Sequence, residues 1–300
     1  MVKVFAPAKI NLTLHITGQR DDGYHLLDSL VAFATVGDTL ELSQAGVFSL
    51  TVEGPEAAGV PADMDNLALR AAHLNGAERK AAITLTKTLP SASGIGGGSA
   101  DAAAAWRGML ALGDSGDTVA DRAYLMPDVL VETQARALLA LGADIPMCVA
   151  CLPVRVQGIG DKLTPHKVPT VPAVLVNPRV PVSTPDVFKA LTSRDNSPMP
   201  ATLPAFETAG DLIQWLHGQR NDLQVSAITI APEIATVLDR LGQCAGAQLV
   251  RMSGSGATCF ALFDDVDAAK SAAETLFHER PDWWVAGCMI GDMMKLGLPK

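Results

Sequence analysis

Four short stretches of this chain carry residues that could do chemistry together. The first is Pro90-Ser91-Ala92-Ser93-Gly94-Ile95-Gly96-Gly97-Gly98-Ser99-Ala100. Four of its five residues 94–98 are glycine, and alanine-rich sequence suited to a helix, Ala100–Leu112, follows at once. Glycine lacks a Cβ, so its backbone N–H can approach a ligand closely and adopt positive φ. A helix N-terminus adds unpaired N–H donors and a positive dipole end. Together these predict an anion cradle, with the Ser99 hydroxyl placed for a phosphate or its Mg²⁺. A flexible hinge is the plain alternative, but hinges rarely run straight into a strong helix start. No Lys follows Gly98, so this is not a P-loop. The nearest acids downstream, Asp114 and Asp117, fall in a loop rather than at a strand end, which argues against a dinucleotide fingerprint.

The second stretch is Gly142-Ala143-Asp144-Ile145-Pro146. A carboxylate between apolar flanks is costly unless it is paired or used. An acid or base role for Asp144 is preferred to simple helix capping. The third is Lys9, two residues from Asn11 in the alternating run Ala8–Ile16, where period two puts both on one strand face. Alone, such a lysine reads as a solvated face. The fourth is Met252-Ser253-Gly254-Ser255-Gly256-Ala257, a second glycine turn that alone reads as a hairpin.

The elements that must position these residues alternate without a regular βαβ repeat, which predicts an α+β fold. Strands are expected at Ala8–Ile16, Asp38–Ser43, Phe48–Glu53, Ala82–Lys87, Ala173–Val176, Gln248–Met252, Thr258–Phe263 and Trp284–Ile290. Tyr24–Ala34 is a further, mostly apolar stretch. Helices are expected at Asn66–Asn75, Ala100–Leu112, Leu130–Leu141, Pro185–Leu191, Asp211–His217, Pro232–Leu241 and Val266–Phe277. The apolar stretch Ala137–Val154 contains Asp144 and is interrupted by Gly142 and Pro146. It reads as a helix end, a turn and a strand rather than a membrane span. Gly158–Pro172, with two glycines and three prolines, marks the expected boundary between domains 1–160 and 161–300.

The chain has 300 residues and a formal net charge of −9, so no basic surface for a nucleic acid is expected. Its five cysteines, an odd number, include the pair Cys148 and Cys151 in apolar surroundings, which suits buried thiols in a reducing compartment. Lys9 and Asn11 interrupt the first apolar run, so no leader peptide is expected and a cytoplasmic protein is.

In order along the chain, Pro7-Ala8-Lys9-Ile10-Asn11, then Pro90 to Asp101, then Gly142–Pro146, then Ser253-Gly254-Ser255-Gly256 resemble the GHMP kinase family. The resemblance runs from Lys9 to about Ile290. Ile16–Arg20 followed by Asp22-Gly23-Tyr24-His25 is similar to the branch that phosphorylates a cytidine diphosphate ester of methylerythritol, in the non-mevalonate isoprenoid route. The resemblance implies an N-terminal ribosomal-protein-S5-like domain, a C-terminal ferredoxin-like domain and an active site between them. It implies Asp144 as the base toward the substrate's 2-hydroxyl and Lys9 as its electrostatic partner. ATP would lie on Pro90, Ser91, Ala92, Ser93, Gly94, Ile95, Gly96, Gly97, Gly98, Ser99 and Ala100, with Asn66 and Lys87 nearby and Ser99 as the candidate contact for Mg²⁺. Asn11, Tyr24, His25, Thr184 and Phe188 match substrate-binding positions. The implied partner is a small molecule, with no nucleic acid or membrane, and the protein a monomer or homodimer. The competing readings are a homoserine- or mevalonate-type kinase and a non-catalytic nucleotide sensor.

Overall fold

The alternating apolar runs pair into one mixed sheet with helices packed against it. The computed structural model describes residues 1–74, 79–113 and 132–300. The first part contains β1 (Val2–Asn11), β2 (His15–Gln19), β3 (His25–Ala45), β4 (Ser49–Glu53), α1 (Leu67–His73), β5 (Lys80–Thr86) and α2 (Gly97–Gly113). Then come α3 (Glu132–Leu141), α4 (Ile145–Ala150), β6 (Val154–Gly158), β7 (Lys162–Pro165) and β8 (Val171–Asn177). The remainder is α5 (Thr184–Lys189), α6 (Ala209–His217), α7 (Gln224–Ile230), α8 (Glu233–Gly242), β9 (Ala247–Met252), β10 (Cys259–Phe263), α9 (Val266–Glu279) and β11 (Trp284–Gly291).

The main strand order is β4-β5-β3-β11-β8-β10-β9, with β1, β2 and β6 also on β3 and β7 on β6. Only β4–β5 is parallel among these pairs. The expected runs Tyr24–Ala34 and Asp38–Ser43 fuse into the single 21-residue strand β3. Five other strands pair along its length, and those ladders hold the intervening residues extended. The boundary expected at Gly158–Pro172 covers β7 and the approach to β8. The sheet itself runs on, because β11 returns to pair Ile290 with Ala34 and Gly291 with Phe33. One buried cluster likewise mixes Ala8, Ile10 and Leu30 with Leu175, Phe260 and Ile290.

Two local expectations change. Ala8–Ile16 is not one half-buried strand: β1 ends at Asn11, and Leu14 makes a bridge to Asn221. Its polar face is also buried, with Lys9, Asn11, Thr13 and His15 all nearly inaccessible. Period two separated apolar from polar side chains correctly, but the polar set is buried too: Lys9 and Asn11 line the cavity, while Thr13 and His15 hydrogen-bond to Met199 and Ser197. After Asp144 the chain forms helix α4 where a strand was expected. Pro146 lies in its first turn, where a missing N–H costs nothing. The buried Arg107 guanidinium donates to the carbonyls of Cys148 and Val149 at its end, at 2.7 and 3.2 Å, and to Phe5 on β1 at 2.9 Å. That cation at a helix C-terminus fixes α4, and so Asp144, to β1.

Helix α2 continues through Gly108. A Cβ there would lie 2.5 Å from Leu42, so the small residue permits close packing on β3. Ala102–Ala105 are fully buried for the same reason. Asn75, Leu130 and the rest of the segment 114–131 lie outside the described residues. No helix among the described residues is long and apolar enough to cross a membrane.

Candidate active site

Asp144 occupies the N-cap position of α4, yet its side chain makes no capping hydrogen bond. Its Oδ2 instead lies 3.1 Å from Lys9 Nζ. The Asp144 side chain is 39% exposed and that of Lys9 only 8%, so the carboxylate is reachable while the cation is enclosed. Lys9 Nζ also donates to Asn11 Oδ1 at 2.7 Å. The orientation of that amide is set one step further back. Ser29 Oγ donates to the Thr13 carbonyl and has no second proton, so it accepts from Asn11 Nδ2 at 2.8 Å. Asn11 Oδ1 must then face the lysine.

The glycine loop sits against this pair. Lys9 N–H donates to the Ile95 carbonyl at 2.9 Å, and Ile95 is fully buried as the loop's anchor. Gly94 and Gly96 have φ of +76° and +67°. Lys9 crosses so close to Gly96 that a Cβ there would lie 2.6 Å from Lys9 Cγ. Helix α2 begins at Gly97, three residues earlier than expected, so Gly97, Gly98 and Ser99 form its first turn. All three line the cavity, and N–H groups in a first turn lack intrahelical acceptors, which suits an anion.

The second glycine turn interlocks with the first. Ser253 Oγ donates to the Gly94 carbonyl at 3.2 Å and accepts from Asn11 N–H at 3.1 Å, while Thr258 N–H donates to Ser93 at 3.1 Å. Asn221 Nδ2 donates to the carbonyls of Met252 and Gly254 and holds the turn from behind. Ser253–Gly256 is the hairpin turn expected, joining the antiparallel strands β9 and β10, and it also backs the glycine loop.

Beneath Gly97, Lys87 Nζ is shared between Asp38 Oδ2 at 2.5 Å and Asp101 Oδ2 at 2.8 Å, all three side chains being buried. Burial opposes the ammonium, but Asp101 and Asp38 more than offset this and hold its pKa above the usual lysine value. Burial pushes the Asp101 carboxyl well up; Lys87 pulls it down, and Asp38 adds to the rise. Asn66 caps α1, accepting from Ala68 N–H at 2.9 Å and donating to the Pro61 carbonyl at 2.8 Å.

A cavity of about 530 Å³ gathers Lys9, Asn11, Asn66, Lys87, Pro90–Gly94, Gly96–Ser99, Asp144, Thr184 and Phe188. Ile95 and Ala100 are buried behind its wall. Thr184 Oγ1 and Ser255 Oγ are 2.7 Å apart at its edge. Tyr24 and His25 do not line the cavity. Tyr24 is 62% exposed, and His25 stacks on Phe188 with ring centroids 4.8 Å apart and planes 29° apart. His25 Nε2 is buried without a hydrogen-bond partner among the described residues, and burial, then Arg194, lowers the ring's pKa. Asp38, Asp101, Ser29, Asn221 and Ser255 carry no role in the sequence reading. The available signals were an acid at the head of the strand expected at Asp38–Ser43 and another at the start of the alanine-rich run. Cys148 and Cys151 are buried, and burial raises both thiols.

A model described as the GHMP kinases N terminal domain matches residues 66–150, and one described as GHMP kinases C terminal matches 202–280. The chain belongs to the GHMP kinase family, a class of ATP-dependent small-molecule kinases. It is 53% identical to the 4-diphosphocytidyl-2-C-methyl-D-erythritol kinase of Roseobacter denitrificans, over 100% of this chain and 97% of that one. The enzyme of the same name from Ruegeria pomeroyi is 52% identical over 95% and 98%. Among solved structures, a crystal structure of 4-(cytidine 5'-diphospho)-2C-methyl-D-erythritol kinase aligns with TM-score 0.73 and 31% identity, over 96% of this chain and 99% of that one. A homoserine kinase from Cytophaga hutchinsonii, 21% identical with TM-score 0.63, shares the fold.

Proposed function

We propose that this chain transfers the γ-phosphoryl group of ATP to the 2-hydroxyl of 4-diphosphocytidyl-2-C-methyl-D-erythritol, in non-mevalonate isoprenoid precursor biosynthesis, with Asp144 as base. The observation that carries the chemistry is the Lys9–Asp144 pair at the edge of the glycine cradle. Asp144 takes the hydroxyl proton. Lys9 steadies the carboxylate before transfer and the developing alkoxide after it. The alkoxide oxygen attacks the γ-phosphorus in line, the bond to the bridging oxygen breaks, and ADP leaves. Phosphoryl transfer needs little covalent help, so positioning and charge neutralisation supply most of the rate. Backbone N–H groups of residues 96–99 neutralise the phosphates, with Lys87 below them.

Ser99, which lines the cavity, offers one hydroxyl to a Mg²⁺ that arrives on the phosphates. Among the described residues no three His, Cys, Asp or Glu side chains are grouped to hold a metal, and Mg²⁺ typically binds through phosphate oxygens and few protein groups. Bound there by Ser99 Oγ and the nucleotide, Mg²⁺ would supply charge neutralisation. The cytosine end is read by Tyr24, His25 and Phe188, with Asn11 and Thr184 contacting the sugar-alcohol side. The stacking of His25 on Phe188, which itself lines the cavity, supports that reading. Residues 1–160 then hold the cradle and catalytic pair, and 161–300 form the C-terminal domain. The protein works in the cytoplasm, as a monomer or homodimer.

The test is ADP release with a panel of acceptors. Release with the cytidylyl substrate and not with homoserine or mevalonate is expected. Release with homoserine or mevalonate instead would change the substrate. No release with any acceptor, despite ATP binding, would favour a nucleotide sensor.

A further inference from the structure

We propose that Asp38 is a positioning residue for the nucleotide side of the site, fixing Lys87 beneath Gly97 and setting the chain's entry into the glycine loop. The inference rests on the reading of that loop as the ATP cradle. Lysine has three N–H donors and no acceptor. Two of those donors are committed to Asp38 and Asp101. A Cβ on Gly97 would lie 3.4 Å from Lys87 Nζ and 3.7 Å from Asp38 Oδ2, so the ion cluster underlies the first residue of α2. Lys87 is therefore not a swinging phosphate ligand. Its charge is held at one place under the loop.

Asp38 does a second job with its other oxygen. Oδ1 accepts from Thr88 N–H at 2.5 Å and from Leu89 N–H at 2.9 Å. Those two residues carry the chain from β5 to Pro90, where the cradle begins. The placement follows from register: Thr39 pairs with Thr86, which brings Asp38 opposite Lys87 at the end of the ladder. A single carboxylate thus joins the loop's entry to the cation beneath it.

Asp101 is different. Its Oδ2 meets Lys87, while its Oδ1 is buried with no hydrogen-bond partner among the described residues. The two aspartates therefore differ in what an amide can replace. An amide has one acceptor oxygen and an NH₂ group that only donates. At position 38 both oxygens face donors, so an amide must turn its NH₂ either on the Lys87 ammonium or on two backbone N–H groups. At position 101 the amide oxygen can face Lys87 and leave the NH₂ where no partner stood.

The experiment compares Asp38→Asn with Asp101→Asn, measuring KM for ATP and for the cytidylyl substrate, kcat and thermal unfolding. Asp38→Asn is expected to raise KM for ATP about 10- to 100-fold, the worth of a charge-assisted hydrogen bond, with the other KM unmoved. Asp101→Asn is expected to raise it by less than about threefold. A merely structural Asp38 would lower the melting temperature and move both KM values together, or neither; either result overturns the proposal. So does an Asp101→Asn defect as large as that of Asp38→Asn. If Asp38→Asn does not fold, Lys87→Met keeps both backbone bonds to Asp38, and unchanged ATP affinity in that variant overturns the proposal. Gly97→Val separates the two levels. Intact ATP affinity there refutes the cradle itself, whereas its loss beside an unaffected Asp38→Asn refutes only the positioning role.

Discussion

Replacing Gly96 with alanine should slow phosphoryl transfer through Lys9 more than it weakens ATP binding. Gly96 has φ of +67°, a conformation that costs an alanine about 1–2 kcal/mol. Its new Cβ would stand 2.6 Å from Lys9 Cγ and 3.1 Å from Lys9 Cε. Carbon atoms rest in contact at about 3.5 Å, so the lysine stem must retreat by about 1 Å. Lys9 has little room to do so, because it is buried and its ammonium is held by Asn11 and Asp144. A misplacement of about 1 Å at a catalytic group costs about 10²-fold in rate. Steady-state ADP release at saturating ATP and acceptor should show kcat down by about that factor. Gly98→Ala is the contrast, since its Cβ would meet only Leu67 at an ordinary 3.8 Å. Placed in the cradle's first turn, it should raise KM for ATP and leave kcat nearly intact. A folded Gly96→Ala enzyme with kcat within about threefold of the parent would refute the reasoning that Lys9 and the loop are sterically coupled.

Gly94→Ala adds a Cβ 2.5 Å from the Ser253 carbonyl oxygen at φ of +76°. The two glycine turns should part, and calorimetry should register a melting temperature lower by about 2–8 °C; an unchanged melt would mean the turns are not interlocked. The His25 ring has its pKa lowered from 6.5 by burial and then by Arg194, so it stays neutral to lower pH than a free histidine. KM for the cytidylyl substrate should therefore be flat from pH 8 to about 6.5 and rise only below it. An inflection above pH 7 would contradict the neutral-ring reading. Phe188→Ala removes the ring on which His25 stacks and should raise that KM about 5- to 10-fold, the worth of an aromatic pair, without changing KM for ATP; equal shifts in both would remove Phe188 from the acceptor side.

Local chemistry was more legible than long-range assembly. The glycine loop and the helix after it could be read because glycine spacing and helix onset are neighbours in sequence, and α2 begins within the predicted run. Asp144 stood out because its apolar flanks left it no obvious local partner, and the partner it finds is Lys9, 135 positions away in numbering. Its helix could not be read: α4 is fixed by Arg107, a charge whose full burial no local pattern signals. Periodicity sorted the two faces of Ala8–Ile16 but could not say that the polar face would also be enclosed. That depends on β3, the two glycine turns and residues 197–199 closing over it. Lys87 entered only through the family resemblance, which put it near the nucleotide. The carboxylates that restrain it come from β3 and α2, and only strand register brings Asp38 opposite it.

The most direct test of the central claim is turnover by Asp144→Asn with ATP and the cytidylyl substrate both saturating, beside a direct measurement of ATP affinity. Asparagine keeps the size of the side chain but cannot take the hydroxyl proton. With Asp144 as base, kcat should fall by about 10²–10⁴-fold, the typical worth of a general base, while ATP affinity stays near the parental value. Turnover close to that of the parent would contradict the account.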